Sequence, residues 1–365
     1  MASWKLLYAS LLDPSSVLGE LPVEMFSYTE TMNGDGSWST TMPLVTTTPA
    51  RLTGEVSALQ LSEADILEGG TIVYFERDGS ILWGGIVWSI DASVESNSLT
   101  VAGAGIHSYF RHRFIRVTTT YSAQDQLVIA RDIIDDAQAI ANGDIGVLTS
   151  ETATSGVTRN RTYYGYERRN VADTIEQLAA VKNGFDFRYH TFRNAGTITT
   201  EFRTTYPATG RRTEYVFELG SNIQLLSYRS SGGNLTNTVD AVGAGDGDDL
   251  LIETAQDPTG LASRPLLESV VSLPDVSVSN TLIEHAQRAI VRGSVPIKEI
   301  TVRVFPDELP NLGSYIIGDQ VFVKGSYGFV NLGSWFRITS LGVAVANNGT
   351  ETVELTLVPL EVFDE

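Results

Sequence analysis

The sequence contains no cysteine, which excludes disulfides, thiolate metal sites and a cysteine nucleophile and leaves the redox compartment open. No apolar run reaches the roughly 18–20 residues a helix needs to cross a bilayer. The start, Met1-Ala-Ser-Trp-Lys5, has neither the charged first region nor the long apolar stretch of a secretory signal, so a soluble protein made in a cytoplasm is the expectation. Positive charge is scarce: 25 Lys and Arg face 44 Asp and Glu, a formal net charge of −19. The deficit is uneven, since residues 1–110 carry Lys5, Arg51 and Arg77 against thirteen acidic residues, a local balance of −10. Nucleic-acid affinity rests on Lys and Arg displacing phosphate counterions, so this surface repels a polyanion. Two uses fit such repulsion: general solubility, or a wall past which DNA slides without sticking.

What is present is mostly strand-and-turn patterning over a chain of 365 residues, long enough for two to four domains. Short alternating apolar runs end at Gly, Asn, Asp and Ser. Ile72–Phe75 and Ile81–Trp83, joined through Arg77-Asp-Gly-Ser80, read as a hairpin whose Asp-Gly supplies positive φ. Ile86–Ile90, Ser98–Ala102, Val321–Val323, Trp335–Ile338 and Val353–Leu357 read as further strands. Three helices interrupt. The first has Ser122 as N-cap and the stripe Leu127, Ala130, Ile134, Ala137 and Ala141; the second has Asn170 as N-cap and buries Val171, Ile175, Leu178 and Ala179. The third runs from about Asn280 to Arg292, with Leu282, Ala286, Ala289 and Ile290 on one face.

The segment Val23-Glu-Met-Phe-Ser-Tyr-Thr-Glu-Thr31 is similar to Ile223-Gln-Leu-Leu-Ser-Tyr-Arg-Ser-Ser231, and each leads through a Gly/Asn turn into a Thr-rich return strand. Gly69-Gly-Thr-Ile-Val-Tyr-Phe75 pairs likewise with Gly318-Asp-Gln-Val-Phe-Val-Lys324. The inference is two related β-barrels, one continuous over 1–115 and one split into 219–245 plus 297–365. An α/β insert domain then covers 116–218, and 246–296 is an insertion with one helix.

Four passages carry a family resemblance: Asn170–Arg188, Gly233–Gly243, Leu312–Val323, and Phe336–Ser340 with Val353–Leu357. On these the chain resembles the baseplate-hub and tail-associated (tail-tip) proteins of tailed bacteriophages, siphophage type. The resemblance implies a mainly β (β+α) fold with two tail-tube-like β-barrels, α/β inserts between them, and three subunits in a ring presenting six similar barrels. It implies a structural hub, not an enzyme, that adapts a six-fold tube to a three-fold tip, closes the tube and anchors receptor-binding parts in the virion. The partners implied are two further copies (a homotrimer), distal tail and tube proteins, the tape-measure protein, receptor-binding or fibre proteins, and genomic DNA in transit. Two other readings stand beside it: a β-rich receptor- or glycan-binding tail protein using exposed aromatics such as Trp38 or Trp83, and a cell-wall hydrolase.

The chemistry-bearing residues point to no cofactor, catalytic residue or metal. His107, His112, His190 and His285 include no i, i+4 pair of a zinc site and read as surface or interface packing. No Ser has Gly at both −2 and +2, so a hydrolase nucleophile elbow is missing. Gly103-Ala-Gly105-Ile-His-Ser108 lacks the third glycine of a nucleotide loop and reads as a barrel-strand exit. Asp246-Gly-Asp248-Asp249 reads as a solvated loop, with a weak Ca²⁺ site as the alternative, and Asp132, Asp135 and Asp136 as the solvent face of the first helix. Two basic clusters stand out, Arg111, Arg113 and Arg116, and Arg159, Arg161, Arg168 and Arg169, the latter interleaved with Tyr163, Tyr164 and Tyr166. Arg with Tyr is typical of interfaces, so these seven arginines are candidate subunit contacts; ordinary surface charge is the alternative.

Overall fold

The computed structural model describes residues 2–44, 66–181, 183–274, 276, 278–305 and 309–360. Arg51 of the acidic first third and the closing residues 361–365 lie outside these. The fold is mainly β, as the sequence implies, and the chain divides into two compact units: residues 1–224 with 302–357, and residues 225–301 with 358–365.

The first unit opens with β1 (Trp4–Ser10), β2 (Asp13–Glu20), β3 (Met25–Thr31), β4 (Ser37–Pro43), β5 (Thr71–Arg77), β6 (Ser80–Ser93) and β7 (Ser98–Gly105). Asp78 (φ 49°) and Gly79 (φ 83°) close the β5–β6 hairpin with Arg77 opposite Ser80, the turn expected from Asp-Gly. The strands hydrogen-bond in the order β3-β4-β7-β6-β5-β1-β2. Their core is aromatic: Phe75 lies 5.0–5.7 Å, centroid to centroid, from Phe26, Tyr28, Trp38 and Trp83. Rings this large fit because the neighbouring strands carry no side chain at the crossings. A Cβ on Gly85 would sit 2.5 Å from Trp38 Cδ1, and one on Gly103 only 1.8 Å from the Ile86 carbonyl oxygen.

The chain then builds an α/β insert from α1 (His107–Phe110), β8 (Thr119–Asp125), α2 (Gln126–Gln138), β9 (Val147–Leu148), β10 (Thr158–Tyr163), α3 (Val171–Ala179), β11 (Asp186–Asn194) and β12 (Thr197–Thr205). β8 pairs with β10, while β12 lies between β11 and β9. Two expectations for α2 are corrected. Ser122 lies within β8, and the N-cap is Asp125, whose carboxylate accepts from Leu127 N at 2.9 Å and from Ser155 and Gly156 N at 2.8 Å each. Ala141 lies past the helix and is exposed. Asn170 does cap α3, accepting from Asp173 N at 3.2 Å.

A second strand set follows: β13 (Arg212–Glu218), β14 (Ile223–Ser231) and, after an excursion, β18 (Ile297–Val304), β19 (Gln320–Tyr327), β20 (Val330–Val345) and β21 (Glu351–Pro359). The excursion lies within the second unit, which also takes in most of β14 and β18: β15 (Thr238–Val242) pairs with β16 (Ile252–Gln256) antiparallel and β17 (Glu268–Ser272) parallel, with α4 (Pro258–Ser263) and α5 (Ser279–Gly293). Leu282, Ala286 and Ile290 of α5 pack on Val239, Ala241 and Ala255. Thr238–Val242 is therefore not the return strand of the second hairpin, as the repeat suggests. That place is taken by β18, and Asn222 O accepts from Phe305 N at 2.9 Å where the chain leaves and re-enters the first unit.

The second set runs β14-β18-β21-β20-β19-β13. In chain order these are the counterparts of β3, β4, β7, β6, β5 and β1, so both sets thread the same six positions. They differ at the end, where β1 lies antiparallel to β5 and β13 parallel to β19. Nor are they two separate sheets: β3 pairs with the far half of β20, Thr31 opposite Ser340 through Phe26 opposite Val345, making one continuous sheet.

Candidate functional site

The fold draws several of the seven candidate arginines into its own packing. Arg111 follows α1, and its guanidinium sits among three carboxylates, donating to Asp35, Glu176 and Asp173 (2.9 Å). Arg113 donates to Tyr109 Oη at 2.6 Å and to the Ala137 carbonyl at 2.7 Å, tying the exit of the first strand set to α2. Arg159 donates to Gln126 Oε1 at 3.0 Å and Arg169 to Glu167. Arg116, Arg161 and Arg168 form no ion pair among the described residues. Arg168 is held at φ 50° and donates only to the Arg116 carbonyl, 3.3 Å away. Beside it Tyr164 and Tyr166 stack at 5.1 Å, with Tyr166 three-quarters exposed. The structure thus leaves Arg116, Arg168 and this tyrosine pair exposed, with Arg161 half-buried and donating to the Asn160 carbonyl at 3.1 Å.

His107 is fully buried and not on the surface as its sequence context suggests. Gly105 N bonds the Asp35 carbonyl at 2.8 Å, which turns the chain inward after β7 and aims the imidazole at α3 and β11. Its Nδ1 meets Tyr189 Oη at 3.0 Å and its Nε2 meets Glu176 Oε1 at 3.2 Å. The hydrogen bond from His107, with Arg111 behind it, holds the Glu176 carboxyl below the ordinary carboxylate range. Asp35, His107 and Glu176 form the only grouping of metal-capable donors among the described residues. The set does not fit a resident cation, because the Arg111 guanidinium already lies against both carboxylates and supplies the positive charge. One sequence signal marks the turn, the Gly103-Ala-Gly105 strand exit two residues before the histidine.

Next to the exposed arginines lies a groove of about 400 Å³ walled by Phe114, Val117, Tyr121, Ile140 and Tyr163, with Arg116 at its lip. Asp136 borders it; Asp135 and Asp136 are exposed while Asp132 is half-buried, and burial raises the carboxyls of Asp132 and Asp136. The other sequence candidates fall outside any constellation. His112 lies tilted against Trp88 at 4.6 Å, His190 stacks on Phe192 at 5.1 Å, and His285 is half-buried on α5. Gly103 and Gly105 belong to β7. Asp246–Asp249 is an exposed turn with its 3-10 segment at Gly247–Asp249. Trp38 and Trp83 are buried in the aromatic core, 3% and 6% exposed, which removes them as a glycan platform.

No protein-family profile matches the chain. No curated protein matches it by sequence. Solved structures do match by shape. The 43 kDa tail protein of prophage MuSo2 from Shewanella oneidensis aligns over 99% of both chains at a TM-score of 0.64 and 12% identity. The tail protein from Neisseria meningitidis MC58 aligns over 98% of this chain and 96% of its own (0.58, 12%), and prophage tail protein gp18 from Listeria monocytogenes EGD-e over 97% and 94% (0.55, 14%). Over nearly its whole length the chain has the fold of these phage tail proteins.

Proposed function

We propose that the chain is a structural, non-enzymatic hub of a phage tail tip, three copies of which close into a ring presenting six similar strand sets. The observation that carries this reading is the repeated strand order: two sets thread the same six positions within one chain. A closed ring needs matching surfaces at every step, and a duplicated module lets three chains meet a six-fold tube. The whole-length likeness to prophage tail proteins supports the same role.

On this reading the work is mechanical. The ring caps the tube, holds the end of the tape-measure protein and anchors receptor-binding or fibre components, while the acidic first third repels DNA during transit. The exposed face of Arg116, Arg168, Tyr164 and Tyr166 serves as a contact to an acidic neighbour.

The mass of the purified protein, followed by imaging, tests the reading. A particle of about three times 39.6 kDa with three-fold symmetry and six similar lobes is expected. A monomer at every concentration, or a six-fold ring, overturns it. Reversing Arg168 and Arg169 to Glu is expected to weaken assembly; unchanged particle mass and tail assembly remove the arginine face from the interface.

A further inference from the structure

The junction inside the chain shows which junction between chains is still unmade. β20 has β21 on one side. On its other side the near half, Val330–Arg337, pairs with β19, and the far half, Ser340–Val345, pairs with β3. Its counterpart β6 has β7 on one side and β5 on the other up to Ile86; beyond that, Ser89–Ser93 is paired with β7 alone among the described residues. β3 lies between β4 and β20, whereas its counterpart β14 has β18 on one side and no described strand on the other. The duplicated sheet therefore contains one filled junction, β3 with β20, and the two halves of an unfilled copy of it: the outer edge of β14 and the far half of β6.

These edges lack the usual defences against pairing. Neither Ser89–Ser93 nor Ile223–Ser231 contains proline or lysine, whereas β2, the terminal strand at the first set's end, carries Pro14. The two edges are opposite in net charge, which favours their encounter: Asp91 is the only charged residue of Ser89–Ser93, with Glu95 just after it, and Arg229 the only one of β14. Apolar side chains are exposed there too, Val94 just past the end of β6 at 84% and Leu226 of β14 at 38%.

We propose that β14 of one copy pairs antiparallel with Ser89–Ser93 of β6 in the next copy, by the geometry that joins β3 to β20 within the chain. This inference rests on the ring reading above and names the strands that close it. The contact is heterologous, an edge of the second set on an edge of the first, as a cyclic assembly of identical chains requires. The register follows from the filled junction. Ile86 faces Ile72 as Phe336 faces Val321, and Val23–Thr31 matches Ile223–Ser231, so the pair Ser340 and Thr31 translates into Ile90 and Ser231.

The absence of cysteine makes the test direct. In the full chain, Ile90→Cys with Ser231→Cys, oxidised at assembly concentration, is expected to give covalent dimers and trimers joined through peptides bearing both positions. Chains carrying Ile90→Cys alone and chains carrying Ser231→Cys alone stay unlinked, and mixing them yields dimers. Thr31→Cys with Ser340→Cys is the control and closes within one chain, reporting that the sheet is folded. Arg229→Glu makes both edges acidic and is expected to slow association, most at low salt. A protein that multimerises and closes the control pair, yet never links 90 to 231, overturns the strand assignment while leaving the ring standing. A protein that stays monomeric overturns both.

Discussion

The two strand sets carry the same order of strands around different cores, and the comparison shows what the repeated topology demands and what it leaves free. The first set packs Trp4, Phe26, Tyr28, Trp38, Phe75 and Trp83 in a chain of ring contacts. The second is mostly aliphatic, with Val321, Val323, Ile338, Leu341, Val343, Val353 and Leu355 buried beside two rings, Phe217 and Phe336. Six strands with alternating inward residues close either way, because burial depends on apolar area more than on shape. The difference lies in tolerance: interlocked rings need glycine at their crossings, and aliphatic side chains do not.

The sharpest contrast sits at one matched position. Where the first set has Val87, fully buried, the second has Arg337, 3% exposed, donating to Asp186, to the Thr209 carbonyl at 2.9 Å and to the Gly318 carbonyl at 3.2 Å. Asp186 also accepts from Asn33 Nδ2 at 3.0 Å and Thr209 N at 2.7 Å, so one carboxylate ties the β3–β4 turn, the insert and the second set together. Arg337→Met leaves that carboxylate buried and uncompensated, and should cost about 3–5 kcal/mol in urea unfolding. A loss below about 1 kcal/mol breaks the claim that this pair replaces apolar packing.

The glycines come next. Gly103→Ala drives a Cβ into the Ile86 carbonyl and to 2.7 Å from Trp38 Nε1, contacts with backbone and a locked ring, and should cost about 3 kcal/mol. Gly333→Ala in β20 meets nothing within 4 Å and should stay within about 0.5 kcal/mol. Equal effects at the two sites would erase the distinction between the cores.

Legibility in the sequence followed the range of the interaction. Asp78-Gly79 and the capping Asn170 act over a few residues and read correctly. The likenesses of Val23–Thr31 to Ile223–Ser231 and of Gly69–Phe75 to Gly318–Lys324 pick out segments that occupy matching places in the two strand orders, β3 with β14 and β5 with β19. What could not be read was set by distant partners. Thr238–Val242 has strand character in either sheet, and only the packing of α5 on Val239 and Ala241 decides which it joins. Asp125 outcompetes Ser122 as a cap because Ser155 and Gly156, thirty residues on in the chain, present their N–H groups to it. His107 and Arg111 look like surface residues until Glu176 and Tyr189 arrive from other elements.

A smaller effect is expected where the two sets are tied by a half-buried ion pair. Glu351 of β21 accepts from Arg77 Nε and NH2 at 3.1 Å each and from Trp4 Nε1 at 2.7 Å, linking the ends of both sets. Glu351→Gln keeps one acceptor and removes the ion pair, and should cost about 1 kcal/mol, less at high salt. No salt dependence would mean that the indole bond alone holds this corner.

The smallest effect belongs to the insert. His190 on β11 is half-buried, and burial, reinforced by Arg188 and Arg203, lowers its pKa from 6.5 to about 4. A depressed folded value means that the unfolded chain binds the proton first. The contribution is therefore complete above about pH 6.5 and is lost as pH falls toward 4. Since the ring is partly exposed, the loss should reach only about 1 kcal/mol. Replacing it by His190→Gln should flatten stability between pH 6.5 and 4 without changing it at pH 8. Neither strand set supplies a histidine to its core, so any slope that survives the substitution must come from carboxylates such as Glu176, whose folded value is also lowered and whose contribution fades as pH falls below the ordinary carboxylate range.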